Sequence, residues 1–83
     1  MNRKGPMEKT LIKRQEIIEF IDAFIKEHGY EPLIVEIGDG VGLTKGAVSR
    51  HVAKMLDEGV LVTDLRRSFI RNLRVAEGVL KNG

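Results

Sequence analysis

The sequence contains no cysteine. Disulfides and thiolate metal sites are therefore excluded, and a reducing compartment fits. No apolar run reaches the length needed to cross a membrane, and residues 1–10 lack the apolar centre of a signal peptide. The expected product is soluble and cytoplasmic. His28 and His51 are the two histidines. They show no paired spacing, so no metal site is expected. The glycines at 38, 40, 42 and 46 match neither G-x-G-x-x-G nor a Walker A motif, which argues against a phosphate-binding loop. Ser49 and Ser68 have no evident general base beside them. No enzymatic activity and no cofactor are expected. Internal repeats and low-complexity tracts are absent as well.

What remains is one small domain of 83 residues with a net charge of +2. A chain of this size buries a modest core and has marginal stability. The small net charge conceals an uneven distribution. Residues 1–14 hold five bases and one acid, residues 15–40 seven acids and one base, and residues 41–83 eight bases and four acids. Both ends are basic and the middle is acidic. If the basic segments share one side, that side attracts a polyanion.

Residues 1–8 read as a flexible basic tail containing Gly5-Pro6, with Arg3 and Lys4 adding nonspecific attraction. A helix is predicted over about 11–27, where Leu11, Ile17, Ile18, Ile21, Phe24, Ile25 and His28 keep a 3.6-residue spacing beside Phe20. Its polar face is mainly acidic, unlike that of a membrane-surface helix, so the apolar stripe is read as core. Gly29 ends the helix and Pro32 keeps the connection extended. Residues 33–41 are ambiguous. Leu33, Ile34, Ile37 and Val41 fit a short helix, whereas Ile and Val favour strands and Gly38 and Gly40 weaken both. No side chain at its start provides a cap.

Residues 44–56 form the clearest element. Val48, Val52, Met55 and Leu56 make one apolar stripe. Gly46, Ser49, Arg50, Ala53 and Lys54 lie opposite, small, polar or basic with no acid. Thr44 is suited to the N-cap and Gly59 to the C-terminal cap, and His51 falls at the edge of the stripe, partly buried. Beyond Gly59 the period changes. Val60-Leu61-Val62-Thr63 and Phe69–Val75 read as two strands, with Phe69, Leu73 and Val75 on one face and Asp64-Leu65-Arg66-Arg67-Ser68 as a basic tip. Residues 76–83 read as a C-terminal tail.

The order is therefore long helix, short helix, tight turn through Gly40-Val41-Gly42-Leu43, basic helix and basic hairpin. It predicts a mainly α domain over residues 9–75 with a small β wing, a winged helix-turn-helix of three helices and a C-terminal hairpin. The segments Leu11–Ile21, His28-Gly-Tyr-Glu-Pro and Glu36-Ile37 resemble the DNA-binding domain of the LexA repressor family. The stretch from Gly42 to Leu61 also resembles MarR-type winged-helix regulators. The resemblance implies a transcriptional regulator, a repressor, that binds a double-stranded DNA operator as a homodimer. Where that family places polar caps on its first two helices, Ile12 and Leu33 stand here, with Thr10 as a substitute cap for the first. The 83 residues do not contain the self-cleaving, dimerising domain of that family, so no cleavage switch is expected within them. Their residues at the reading positions also differ, so the family's operator does not transfer.

The resemblance places Thr44, Lys45, Gly46, Ser49 and Arg50 at base edges, with Arg50 able to bind guanine bidentately. Lys54, Arg66, Arg67 and Arg71 suit phosphate, and the wing arginines also suit the minor groove. Arg74 and, on the first helix, Lys13 and Arg14 are further candidates. Two rivals remain. One is a winged-helix protein-interaction module. The other is a nonspecific architectural nucleic-acid binder.

Overall fold

The computed structural model describes residues 6–66 and 68–80. Arg3, Lys4 and Arg67 lie outside these residues. Three helices, α1 (Pro6–His28), α2 (Ile34–Val41) and α3 (Lys45–Asp57), precede two strands, β1 (Leu61–Thr63) and β2 (Leu73–Val75). The strands pair antiparallel, with Leu61 opposite Val75 and Thr63 opposite Leu73. The expected helical domain with a small wing is what forms.

The first helix starts earlier than its apolar stripe suggests. Pro6 opens it, in the position where a missing N–H costs least, so residues 6–8 are helical rather than tail. Thr10 consequently lies inside the helix and does not cap it. Ile17, Ile18 and Ile21 are buried, whereas Leu11 at the amino-terminal end of the stripe is exposed. The helix stops at Gly29, whose φ of 81° is left-handed and whose N–H donates to the Ile25 carbonyl at 2.8 Å.

The ambiguous segment is helical, and tertiary partners explain why. Leu33 sits in the extended N-cap conformation but has no side-chain acceptor to offer. The Glu36 carboxylate accepts its N–H at 2.8 Å instead, which makes half of a capping box. At the other end, Lys13 Nζ donates to the Val41 carbonyl at 2.8 Å, so α1 supplies the C-terminal cation that α2 lacks. The two glycines that weaken this helix in isolation are required by close packing. A Cβ at Gly38 would lie 2.6 Å from the Leu43 carbonyl oxygen, and one at Gly40 would meet the Phe20 ring. Gly40 is thus part of α2, and the turn itself is made at Gly42, where φ is 74°.

The third helix is fixed at both ends by local chemistry. Thr44 Oγ1 accepts from the Ala47 N–H at 3.1 Å. At the far end the Val60 N–H donates to the Met55 carbonyl and the Gly59 N–H to that of Leu56, with Gly59 at a φ of 80°. This is the paired bonding of a Schellman cap. Val48, Val52 and Met55 enter the core with Ile37 and Val41 from α2 and Leu61 and Leu73 from the wing.

The second strand is shorter than expected. Ser68 Oγ accepts the N–H groups of both Ile70 and Arg71 at 3.1 Å, and Asn72 Nδ2 donates to the Ser68 carbonyl at 2.7 Å. These local bonds offer the backbone a turn in place of a ladder. The strand therefore begins only at Leu73, and Phe69 lies in the loop, exposed, instead of facing inward with Leu73 and Val75.

Candidate nucleic-acid interface

The core-facing residues of α3 leave its opposite side to solvent. Lys45, Gly46, Ser49, Arg50, Ala53 and Lys54 are all exposed. No acid occurs on the helix before Asp57. A Cβ at Gly46 would find no atom within 4 Å, so this glycine serves no internal packing and leaves the first turn open to approach. Thr44 is exposed too, with its oxygen engaged as the N-cap acceptor. The first N–H groups of α3 remain without helical partners, and the helix dipole puts positive charge there. A single helix with this profile fits the width of a B-DNA major groove.

Arg14 reaches from α1 to pair with Glu58, just beyond the end of α3. That pairing braces the helix and removes Arg14 from the candidate phosphate contacts. Lys13 is likewise engaged internally, with Val41 and Glu16. His51 is half-buried as expected. Burial first, then the positive charges of Arg14 and Arg50, holds its pKa below the ordinary 6.5, so it adds no charge to the face at neutral pH.

The wing arginines divide into two kinds. Arg66 is exposed, and its Nε and Nη2 donate to the two Asp64 carboxylate oxygens at 2.9 and 3.1 Å. That bidentate bond raises its pKa and presets its direction without covering it. Arg71 differs. Its guanidinium donates to both Glu36 oxygens at 2.9 and 3.1 Å and to the Glu31 carbonyl at 3.0 Å. It also stacks over Tyr30, 4.8 Å from the ring centroid. Arg74 donates to Glu31 Oε2 at 2.6 Å. Both are tethers that hold the wing to the α1–α2 junction, and the expectation of a free phosphate contact at Arg71 does not match this geometry. Position in the sequence revealed a basic wing, but not the acidic partners of these two arginines. Sequence reasoning does not single out Glu31 and Glu36 as these partners; the signals it offers are a carboxylate set between Tyr30 and Pro32 at Glu31 and an acid three residues after Leu33 at Glu36.

Three helices, a glycine-closed turn and a hairpin beside a basic third helix define a winged helix-turn-helix nucleic-acid-binding domain. Residues 7–68 match the LexA DNA binding domain, and the chain belongs to that family. It is 44% identical over 66 residues to the LexA repressor of Mycobacteroides abscessus, an alignment covering 77% of this chain and 30% of that protein. It is 36% identical over 59 residues to the LexA repressor of Bacillus mycoides, covering 70% of this chain and 29% of that one. The chain spans about three tenths of the length of these curated relatives.

Proposed function

We propose that this chain binds a specific double-stranded DNA operator and represses transcription from it, with α3 in the major groove and the wing on the backbone or minor groove. The observation that carries this is the outer side of α3, continuous in Lys45, Ser49, Arg50 and Lys54 with no acid among them, on a helix fixed at both ends. Arg50 reads guanine through a bidentate hydrogen bond, and Ser49 discriminates weakly because a hydroxyl donates and accepts. Thr44, Lys45 and Gly46 set the distance of the first turn from the bases. Lys54, Arg66 and Arg67 contact phosphate and fix register. Arg71 is reassigned to holding the wing. One such module makes a small interface, so two copies on paired half-sites are needed for tight binding. Selection from random duplex DNA tests the reading. A motif with two half-sites about one helical turn apart supports a dimeric repressor. Binding without any motif supports the architectural alternative, and no binding at low salt rejects both in favour of a protein-interaction module.

A further inference from the structure

Phe69 is the most exposed large apolar side chain among the described residues, at 87%, and Ile70 beside it is 70% exposed. Local bonds hold the pair outward. The Ser68 hydroxyl accepts the Ile70 and Arg71 N–H groups, and Asn72 Nδ2 donates to the Ser68 carbonyl. Phe69 is thus a fixed projection, and large apolar groups held in water in this way mark a contact surface.

The projection stands at the rim of a recess. Phe69 and Ile70 form one wall of a groove of about 460 Å³, and Val35 from α2 and Val52 and Leu56 from α3 line the others. Among the described residues that line it, Lys45 is the one charged side chain and none is acidic. Such walls match an apolar surface and offer little to a polyanion or a charged peptide. This chain carries an apolar surface of that kind on the same face, in Phe69 itself. A projection and a recess side by side on one patch are self-complementary under a two-fold rotation, which sets each projection against the other copy's recess. We propose that the groove receives Phe69 of a second copy of this chain and that its own Phe69 enters the groove of that copy.

The size of the patch sets the strength of the pairing. Val35 is 50% and Leu56 36% exposed. With Phe69 and Ile70 they present about 500 Å² per copy. Two copies together bury about 1,000 Å², below the roughly 1,600 Å² of a standard stable interface. The pair therefore forms weakly in free solution and more completely where a duplex holds two copies side by side. Lys45 opens α3 and belongs to its exposed basic side, so the groove borders the face proposed to read DNA. A two-fold axis along that border turns both α3 helices toward one duplex. The use of the pairing on DNA rests on the operator-binding reading; the pairing itself does not.

Sedimentation equilibrium of the full chain without DNA tests the pairing. Wild type is expected to dimerise weakly as its concentration rises. Phe69→Ala removes the projection and Val35→Trp fills the recess, and each is expected to weaken self-association at least about tenfold. Mixed together, the two variants are expected to regain part of it, because the intact recess of the first receives the intact projection of the second. A folding defect in either variant predicts no such recovery, and thermal melts verify both folds. On the selected duplex, Phe69→Ala is expected to keep its affinity for a single half-site and to lose a cooperativity of about 5- to 150-fold between two half-sites. A wild type that stays monomeric, with cooperativity equal to that of Phe69→Ala, would overturn the pairing and leave the groove to a different apolar partner. A dimer that both variants leave intact would overturn it too and place the contact elsewhere. Self-association weakened by Phe69→Ala in a chain that binds no duplex at low salt would uphold the pairing and reject the operator-binding reading alone.

Discussion

Arg74 on β2 donates to Glu31 on the α1–α2 connection at 2.6 Å, and the receiving carboxylate is 1% exposed. A charge so deeply buried is tolerated only with partners, and Arg74 is one of those of Glu31. Arg74→Met is therefore expected to destabilise the domain, by less than the about 3–5 kcal/mol of an uncompensated buried charge, because Arg74 is partly exposed and Glu31 keeps other contacts. Denaturant unfolding measures this. The same variant should weaken DNA binding only through the wing, so the sequence preferred by α3 should be unchanged. A stability equal to wild type would show that the wing does not depend on this tether.

Stability should fall in two separate steps as pH is lowered. His51 has a pKa below its ordinary 6.5, chiefly through burial and then through Arg14 and Arg50. The unfolded chain therefore takes up this proton first, and stability drops as pH falls below 6.5. Glu36 has a pKa below its ordinary 4.5, chiefly through the Arg71 hydrogen bond and then the Leu33 N–H. Its contribution is complete above 4.5 and is lost as pH falls through the lowered folded value. His51→Gln should flatten the first step and Arg71→Gln the second, measured as melting temperature against pH. Coincident profiles for wild type and both variants would contradict the assignments.

Gly38→Ala should destabilise, although alanine is the better helix former by about 1 kcal/mol. The new methyl would lie 2.6 Å from the Leu43 carbonyl oxygen, and backbone cannot rotate aside as a side chain can. Overpacking of this kind costs about 1–3 kcal/mol, so after the propensity gain the net loss is expected to be about 1 kcal/mol, within a range of about 0–2 kcal/mol. The melting temperature decides it. A rise would mean that the turn after α2 shifts freely.

Arg50→Ala and Lys54→Ala should weaken DNA binding in different ways. Loss of Arg50 removes about 1–3 kcal/mol of discrimination at one base pair, so cognate binding falls more than binding to unrelated DNA. Loss of Lys54 lowers both about equally and reduces the salt dependence by about one counterion. Titrations of each variant on cognate and random duplexes at several salt concentrations separate the two. Equal losses on both duplexes for Arg50→Ala would remove its reading role.

Local chemistry was legible in the sequence and distant chemistry was not. Thr44 caps a residue three positions away, and Ile17 and Ile21 face inward by helical period alone. Both could be read directly. The second helix could be read only in part: the Leu33–Glu36 bond at its start is as local as the Thr44 cap, whereas the Arg71 grip on Glu36, the Lys13 bond to Val41 and the Phe20 ring against Gly40 come from far along the chain. The same distance misled the reading of the basic residues. Formal charge shows that Arg71, Lys13 and Arg14 are cations, but the partners that engage them (Glu36, Val41 and Glu58) come together only in the fold. The outward basic face of α3 lost nothing by this, since its side chains need no internal partner. Phe69 was misplaced because alternation alone cannot register that Ser68 and Asn72 divert the backbone into a turn.

The Phe20 ring occupies the space that a side chain at Gly40 would need. Over evolutionary descent, this couples two positions on different helices. A methyl at position 40 needs the half-buried ring to swing aside or to give way to a smaller side chain. Lineages should therefore pair glycine at 40 with an aromatic at 20 more often than chance, and alanine at 40 with a smaller or displaced side chain there.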